Sequence, residues 1–197
     1  IPIAIHQLGV KTDKAVNLFK AIIDSGVSFD ICANSWYSKA GQNVDDISDH
    51  FNRIIDETGK LVMITECAYP WTTENFGPPN NQTSGDGDSQ YGNTEEGARN
   101  YYLDCIDLIA KLPDGKGVGV VTWPGAYTYN SAAETPIPDG CDSAYMKDPN
   151  STGTNTLSRS TWDNACFWHS ETGRAVDVVM SAFDTCVEAG TGLISCP

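Results

Sequence analysis

Leu61-Val62-Met63-Ile64-Thr65-Glu66 runs directly into Cys67-Ala68-Tyr69-Pro70-Trp71. A short, mostly apolar run of this kind reads as a strand buried on both faces, the habit of parallel sheets. Its last residue, Glu66, is a carboxylate, followed by a proline and two aromatics. A charge at the end of a buried parallel strand stands at the rim of the sheet, where α/β folds carry their chemistry. Glu66 is therefore the first candidate for a reacting group. Tyr69 and Trp71 supply flat apolar faces of the kind a sugar ring packs against, and a carboxylate can attack or stabilise an anomeric carbon. A Glu that merely caps a helix or faces water remains the alternative on residue types alone.

Outward from this run, four strand patterns alternate with four helix patterns. The chain opens on Ile1-Pro2-Ile3-Ala4-Ile5-His6, a strand already under way, as in a processed or partial product. Thr12 is placed to cap a helix with Val16, Phe19, Ile22 and Ile23 on one face, ending near Gly26. A second strand is expected over 27–34. Its helix carries Val44, Ile47, Phe51, Ile54 and Ile55 and stops at Gly59. After Glu66 comes a polar loop, about 72–92, and then a helix capped by Asn93 or Thr94, with Asn93 and Glu96 at capping-box spacing. Ala98, Tyr101, Tyr102, Cys105, Ile109 and Leu112 form its apolar side. Pro113-Asp114-Gly115 turns into a fourth strand over 117–123, and Val176, Val179, Ala182 and Phe183 mark a closing helix. Strict βα alternation with short returns implies parallel strands and right-handed crossovers. The expected fold class is α/β, either a doubly wound sheet or half of an eight-stranded barrel.

The charge balance, 12 basic against 26 acidic side chains for a net −14, disfavours nucleic acid and anionic membrane surfaces as partners. No apolar run approaches the roughly 20 residues of a membrane span. Of the seven cysteines, Cys141, Cys166, Cys186 and Cys196 lie in the last third, as disulfides of secreted proteins do. A Cys141–Cys166 bond would restrain the long stretch over about 124–172. Cys32, Cys67 and Cys105 read instead as buried thiols. The sequons Asn81-Gln82-Thr83 and Asn150-Ser151-Thr152 agree with a secreted, extracellular glycoprotein. No CxxC or HExxH spacing supports a metal, Asp86-Gly87-Asp88 lacks EF-hand spacing, and no cofactor is expected.

No GxGxxG or P-loop signature follows any strand, which removes the usual nucleotide-binding reading. Each strand instead ends in groups suited to carbohydrate: His6-Gln7, Asn34-Ser35-Trp36-Tyr37, Glu66 with Tyr69 and Trp71, and Trp123 with Tyr127. Four such ends on one rim make a cleft. Trp162 and Trp168 are expected to pack the long final loop.

These residues resemble glycoside hydrolase family 53, the arabinogalactan endo-β-1,4-galactanases. Residues 61–71 resemble the family's strand 7 with its nucleophile. FDICANSWY, 29–37, is similar to the strand 6 motif of a Ser followed by two aromatics. GVGVVTWPGAY, 117–127, resembles strand 8, and IAIHQLG resembles strand 5, with His6 matching its His. Ser160-Thr161-Trp162-Asp163-Asn164, with Phe167, Gly173 and Ala175, resembles the closing segment.

The resemblance implies a (β/α)8 TIM barrel of which this chain, one domain over 1–197, covers about strands 5 to 8. It implies a retaining double displacement on galactan, with Glu66 as nucleophile. His6, Asn34, Trp36 and Trp123 would position the sugar, Trp123 as the stacking platform, and the full-length enzyme would be a monomer. Two departures stand out. The family's acid/base lies in an Asn-Glu pair at strand 4, and this chain holds no such pair. Strand 8 normally reads Trp-Glu-Pro, whereas Trp123-Pro124 lacks the Glu. The chain alone is therefore expected to be inactive, with its acid in a missing N-terminal half. The rival readings are another retaining β-glycanase of the same clan, acting on β-glucan or mannan, and an inactive carbohydrate-binding relative.

Overall fold

The apolar run that ends in Glu66 and Cys67 forms strand β3 (Leu61–Cys67), third in a four-stranded sheet. A computed structural model describes residues 1–38, 44–74, 90–123, 164–169 and 174–188. Before β3 come β1 (Ala4–Gln7), α1 (Thr12–Asp24), β2 (Ile31–Trp36) and α2 (Val44–Thr58). After it come α3 (Glu95–Lys111), β4 (Gly117–Val120) and α4 (Asp177–Glu188). The sheet order is β1-β2-β3-β4 and every neighbouring pair is parallel. This α/β architecture amounts to roughly half of a (β/α)8 barrel.

The helices cover one face of the sheet. Val16 and Phe19 of α1, Ile47, Phe51 and Ile54 of α2, and Tyr101, Tyr102 and Cys105 of α3 pack on Cys32, Trp36, Val62, Ile64 and Cys67 of the strands. Near the outer strands the apolar side chains Ile3, Leu8, Val118 and Val121 are exposed. Burial of the three thiols agrees with their expected role: it pushes Cys32 up to about 11 and raises Cys105 well above the ordinary thiol range.

Several boundaries differ from the sequence reading. Strand β2 begins at Ile31 rather than near Val27, because Val27 is exposed and Asp30 is spent on the neighbouring strand. Its backbone N–H donates to the Ile3 carbonyl and its carboxylate accepts from the Ile3 N–H. Thr12 opens α1 without capping it; Lys11 holds the cap position and the Thr12 hydroxyl pairs with His50. Thr94, not Asn93, caps α3 through the Gly97 N–H. Cys141, both sequons, Asp86–Asp88, Trp162 and 124–163 lie outside the described residues. Within the long stretch, 164–169 is held against the end of β3. There Trp71 donates from its backbone to the Asn164 carbonyl and from Nε1 to the Cys166 carbonyl.

Two features set stability. A Cβ on Gly117 would collide with the Ile109 carbonyl of α3, so β4 and α3 meet only because this position lacks a side chain. Gly117→Ala should cost about 1–3 kcal/mol by overpacking, measured as a lowered urea midpoint. His50, fully buried, is pushed down to about 4 by desolvation and is neutral in the folded chain. The unfolded imidazole titrates near its ordinary 6.5, so unfolding takes up a proton between those values. Stability should thus be full above pH 6.5 and fall as the pH drops toward 4, by up to about 3 kcal/mol. Denaturation across this range should show a shallower loss in His50→Leu than in the parent chain.

Candidate active site

Strands β2 and β3 pair regularly from Ile31 opposite Leu61 to Asn34 opposite Ile64. Ser35 then lies opposite Glu66 and Trp36 opposite Cys67, so Thr65 is one residue too many. This is a β-bulge. With unbroken alternation, Glu66 would share the face of Val62 and Ile64, fully buried under the helices. The extra residue turns Glu66 to the other face, beside Ser35, and sends Cys67 into the helix-side core.

On that inner face Glu66 joins a short hydrogen-bonded cluster. Ser35 Oγ donates to Glu66 Oε2 at 2.9 Å, and Tyr37 OH donates to the same oxygen at 2.9 Å. His6 Nε2 lies 2.7 Å from Ser35 Oγ. Ser35 and Tyr37 are two apart on an extended segment, so both side chains reach one face. Burial, reinforced by the Glu66 carboxylate, holds the Tyr37 hydroxyl far above the usual phenol range. Tyr37 is thus a fixed donor. Glu66 Oε1 makes no hydrogen bond among the described residues, so one carboxylate oxygen is anchored and the other is open.

The other residues singled out from the sequence divide. Trp123 stands at the same rim, its backbone N–H donating to the Cys67 carbonyl at 2.7 Å, and is half-buried. Asn34 is buried and turned to protein: its Nδ2 lies 2.8 Å from Gln7 Oε1 and 3.1 Å from the carbonyls of Gln7 and Gly9, tying the end of β1 to β2. Trp36 has no exposed surface and packs on Tyr101 at 5.1 Å between ring centroids. Tyr69 is equally buried, 5.0 Å from the Tyr101 ring and 5.5 Å from that of Tyr91. Trp71 lies against His169 and Cys166. These three aromatics present little or no face to a sugar ring; they brace the end of β3 from behind.

From sequence Ser35 and Tyr37 are rim residues with no evident role. Their alternate spacing was the available signal, but only the strand register shows that both meet Glu66. Among the described residues, no group of three or more His, Cys, Asp or Glu could hold a metal ion, and no helix is long and apolar enough to cross a membrane.

Residues 1–181 match the profile of Glycosyl hydrolase family 53. The chain belongs to glycosyl hydrolase family 53. Its fold is similar to that of the Ignisphaera aggregans GH53 catalytic domain, with a TM-score of 0.71 and 24% identity over 92% of this chain and 46% of that one. It is also similar to a structure from a study of two fungal beta-1,4-galactanases, with a TM-score of 0.59 and 19% identity over 90% of this chain and 47% of that chain. An uncharacterized protein of Niallia circulans, from the bgaB 5' region, is 28% identical over 106 residues, 52% of this chain and 28% of that protein. This family 53 chain therefore spans about half the length of the solved structures it matches.

If Tyr69 braces the fold, its loss should appear in stability. Tyr69→Ala should cost about 3–5 kcal/mol, as large aromatic truncations in cores do. Thermal or chemical denaturation measures this directly; a stability change below about 1 kcal/mol would contradict the burial.

Proposed function

We propose that this chain carries the nucleophile side of a retaining β-1,4-galactanase acting on the galactan side chains of pectin. The observation that supports the reading most is Glu66 itself, turned onto the inner face with Oε2 held by Ser35 and Tyr37 and Oε1 open. Two donors on one oxygen orient the carboxylate and leave the other without a hydrogen bond among the described residues. In the reaction, Oε1 bonds to the galactose C1 as the C1–O bond to the leaving sugar breaks. Water then attacks C1 and releases Glu66.

Departure of a sugar alkoxide requires a proton. Among the described residues the hydrogen-bonded cluster around Glu66 contains one carboxylate, and a retaining site needs a second about 5–5.5 Å away. That acid would come from strand 4 of a complete barrel. Without it the chain loses acid assistance commonly worth about 10²–10⁴-fold. Family membership, the strand 7 and 8 sequences and the fold shared with fungal β-1,4-galactanases support galactan as substrate. Trp123, at the rim beside Cys67, would stack on the sugar. The two sequons support an extracellular setting.

A substrate with a self-sufficient leaving group separates the nucleophile from the acid. Dinitrophenyl 2-deoxy-2-fluoro-β-galactoside expels a phenolate that needs no proton, and the fluorine slows release of the glycosyl ester. Incubation with the chain should add one fluorogalactosyl group to the peptide containing Glu66, seen by mass spectrometry, and none in Glu66→Gln. Labelling of a different carboxylate would overturn Glu66 as the nucleophile, and no labelling while galactan is still bound would favour the inactive carbohydrate-binding reading instead.

A further inference from the structure

We propose that His6 is a positioning residue for Glu66, acting through the Ser35 hydroxyl as an obligatory Nε2–H donor. The inference rests on the reading of Glu66 as nucleophile and assigns His6 a role other than sugar contact. It follows from counting protons along three atoms. An ionised carboxylate only accepts, and a serine hydroxyl has one proton. With Ser35 Oγ donating to Glu66 Oε2 at 2.9 Å, that proton is spent. The 2.7 Å contact between Ser35 Oγ and His6 Nε2 then requires the proton between them to sit on the imidazole. In the neutral ring this leaves Nδ1 bare.

The direction of the chain matters. Reversed, with Ser35 donating to His6, Oγ would turn a lone pair toward Glu66 Oε2 across 2.9 Å, acceptor against acceptor. A donor at Nε2 removes that alternative, so the Ser35 rotor points at the carboxylate. Donation into Ser35 also polarises its O–H, strengthening the bond that it makes. Tyr37, kept protonated, supplies the second donor to the same oxygen. The relay crosses three strands, from β1 through β2 to β3, and keeps Oε2 occupied while Oε1 remains available. Among the described residues His6 reaches Glu66 only through Ser35, so it acts on the carboxylate indirectly.

The labelling reaction with the fluorogalactoside separates the two roles. His6→Leu should slow labelling about 3–10-fold without changing the concentration for half-saturation, and Ser35→Ala should slow it about 10–100-fold. The double variant should be no slower than Ser35→Ala, because the relay is already cut. His6→Gln, which keeps an N–H at similar reach, should recover most of the rate. Additive losses, or a weakened half-saturation in His6→Leu, would show direct substrate contact and overturn the proposal. Independently of any labelling, long-range ¹H–¹⁵N NMR of the neutral imidazole should find its proton on Nε2. A proton on Nδ1 would overturn the relay even if Glu66 is labelled. Absence of labelling with the Nε2 proton in place would sink the nucleophile reading and leave the relay as a structural contact.

Discussion

The site depends on one extra residue in β3. Parallel strands share their inward and outward faces, so Glu66 can meet Ser35 only if the alternation of β3 shifts by one before position 66. Thr65 supplies that shift, and its hydroxyl is buried with no hydrogen-bond partner among the described residues. An unpaired buried hydroxyl costs about 1–3 kcal/mol. The strand therefore holds a locally unfavourable arrangement in order to aim a carboxylate. Without it, the charge would lie among the apolar side chains under the helices, where desolvation penalises it far more.

The helix side supplies what the bulge needs to persist. Past Glu66 the chain is clamped by aromatic packing: Trp36, Tyr69, Tyr91 and Tyr101 form one set of touching rings, and Tyr102 continues it to Phe167 and Phe183. Hydrogen bonds fix this packing in orientation. Tyr101 OH donates to the Trp36 carbonyl at 2.7 Å, and Tyr102 OH accepts from the Tyr69 N–H at 3.3 Å. Both tyrosines lie on α3, so one helix braces the end of β2 and the end of β3 together. Aromatic residues that a sequence reading assigns to a sugar are thus used to hold the strand ends beside which Ser35 and Glu66 meet.

Much of the fold was legible because it rests on periodicity and punctuation. The helix faces carrying Val16 and Phe19, Ile47 and Ile54, and Tyr101 and Cys105 were evident from spacing, as were the strand at 61–67 and the glycines closing the first two helices. The less legible parts turned on choices between equivalent local options. Thr12 and Asn93 each suit a cap by residue type, but the Thr12 hydroxyl went to His50 and Thr94 took the cap of α3. His50 gave no local sign of burial, since its partner lies 38 residues away in the chain. Trp36, Tyr69 and Trp71 look the same in sequence whether they face a cleft or a helix.

Residue order by itself determined the alternation of strands and helices, the parallel sheet that follows from it, and a carboxylate at a strand end. It also carried the likeness to family 53. Tertiary structure decided which way that carboxylate points and what holds it. Facing is set by pairing register, and register depends on contacts between strands about 30 residues apart. A bulge at Thr65 leaves no mark in local composition, yet it determines whether Glu66 meets Ser35 or the core.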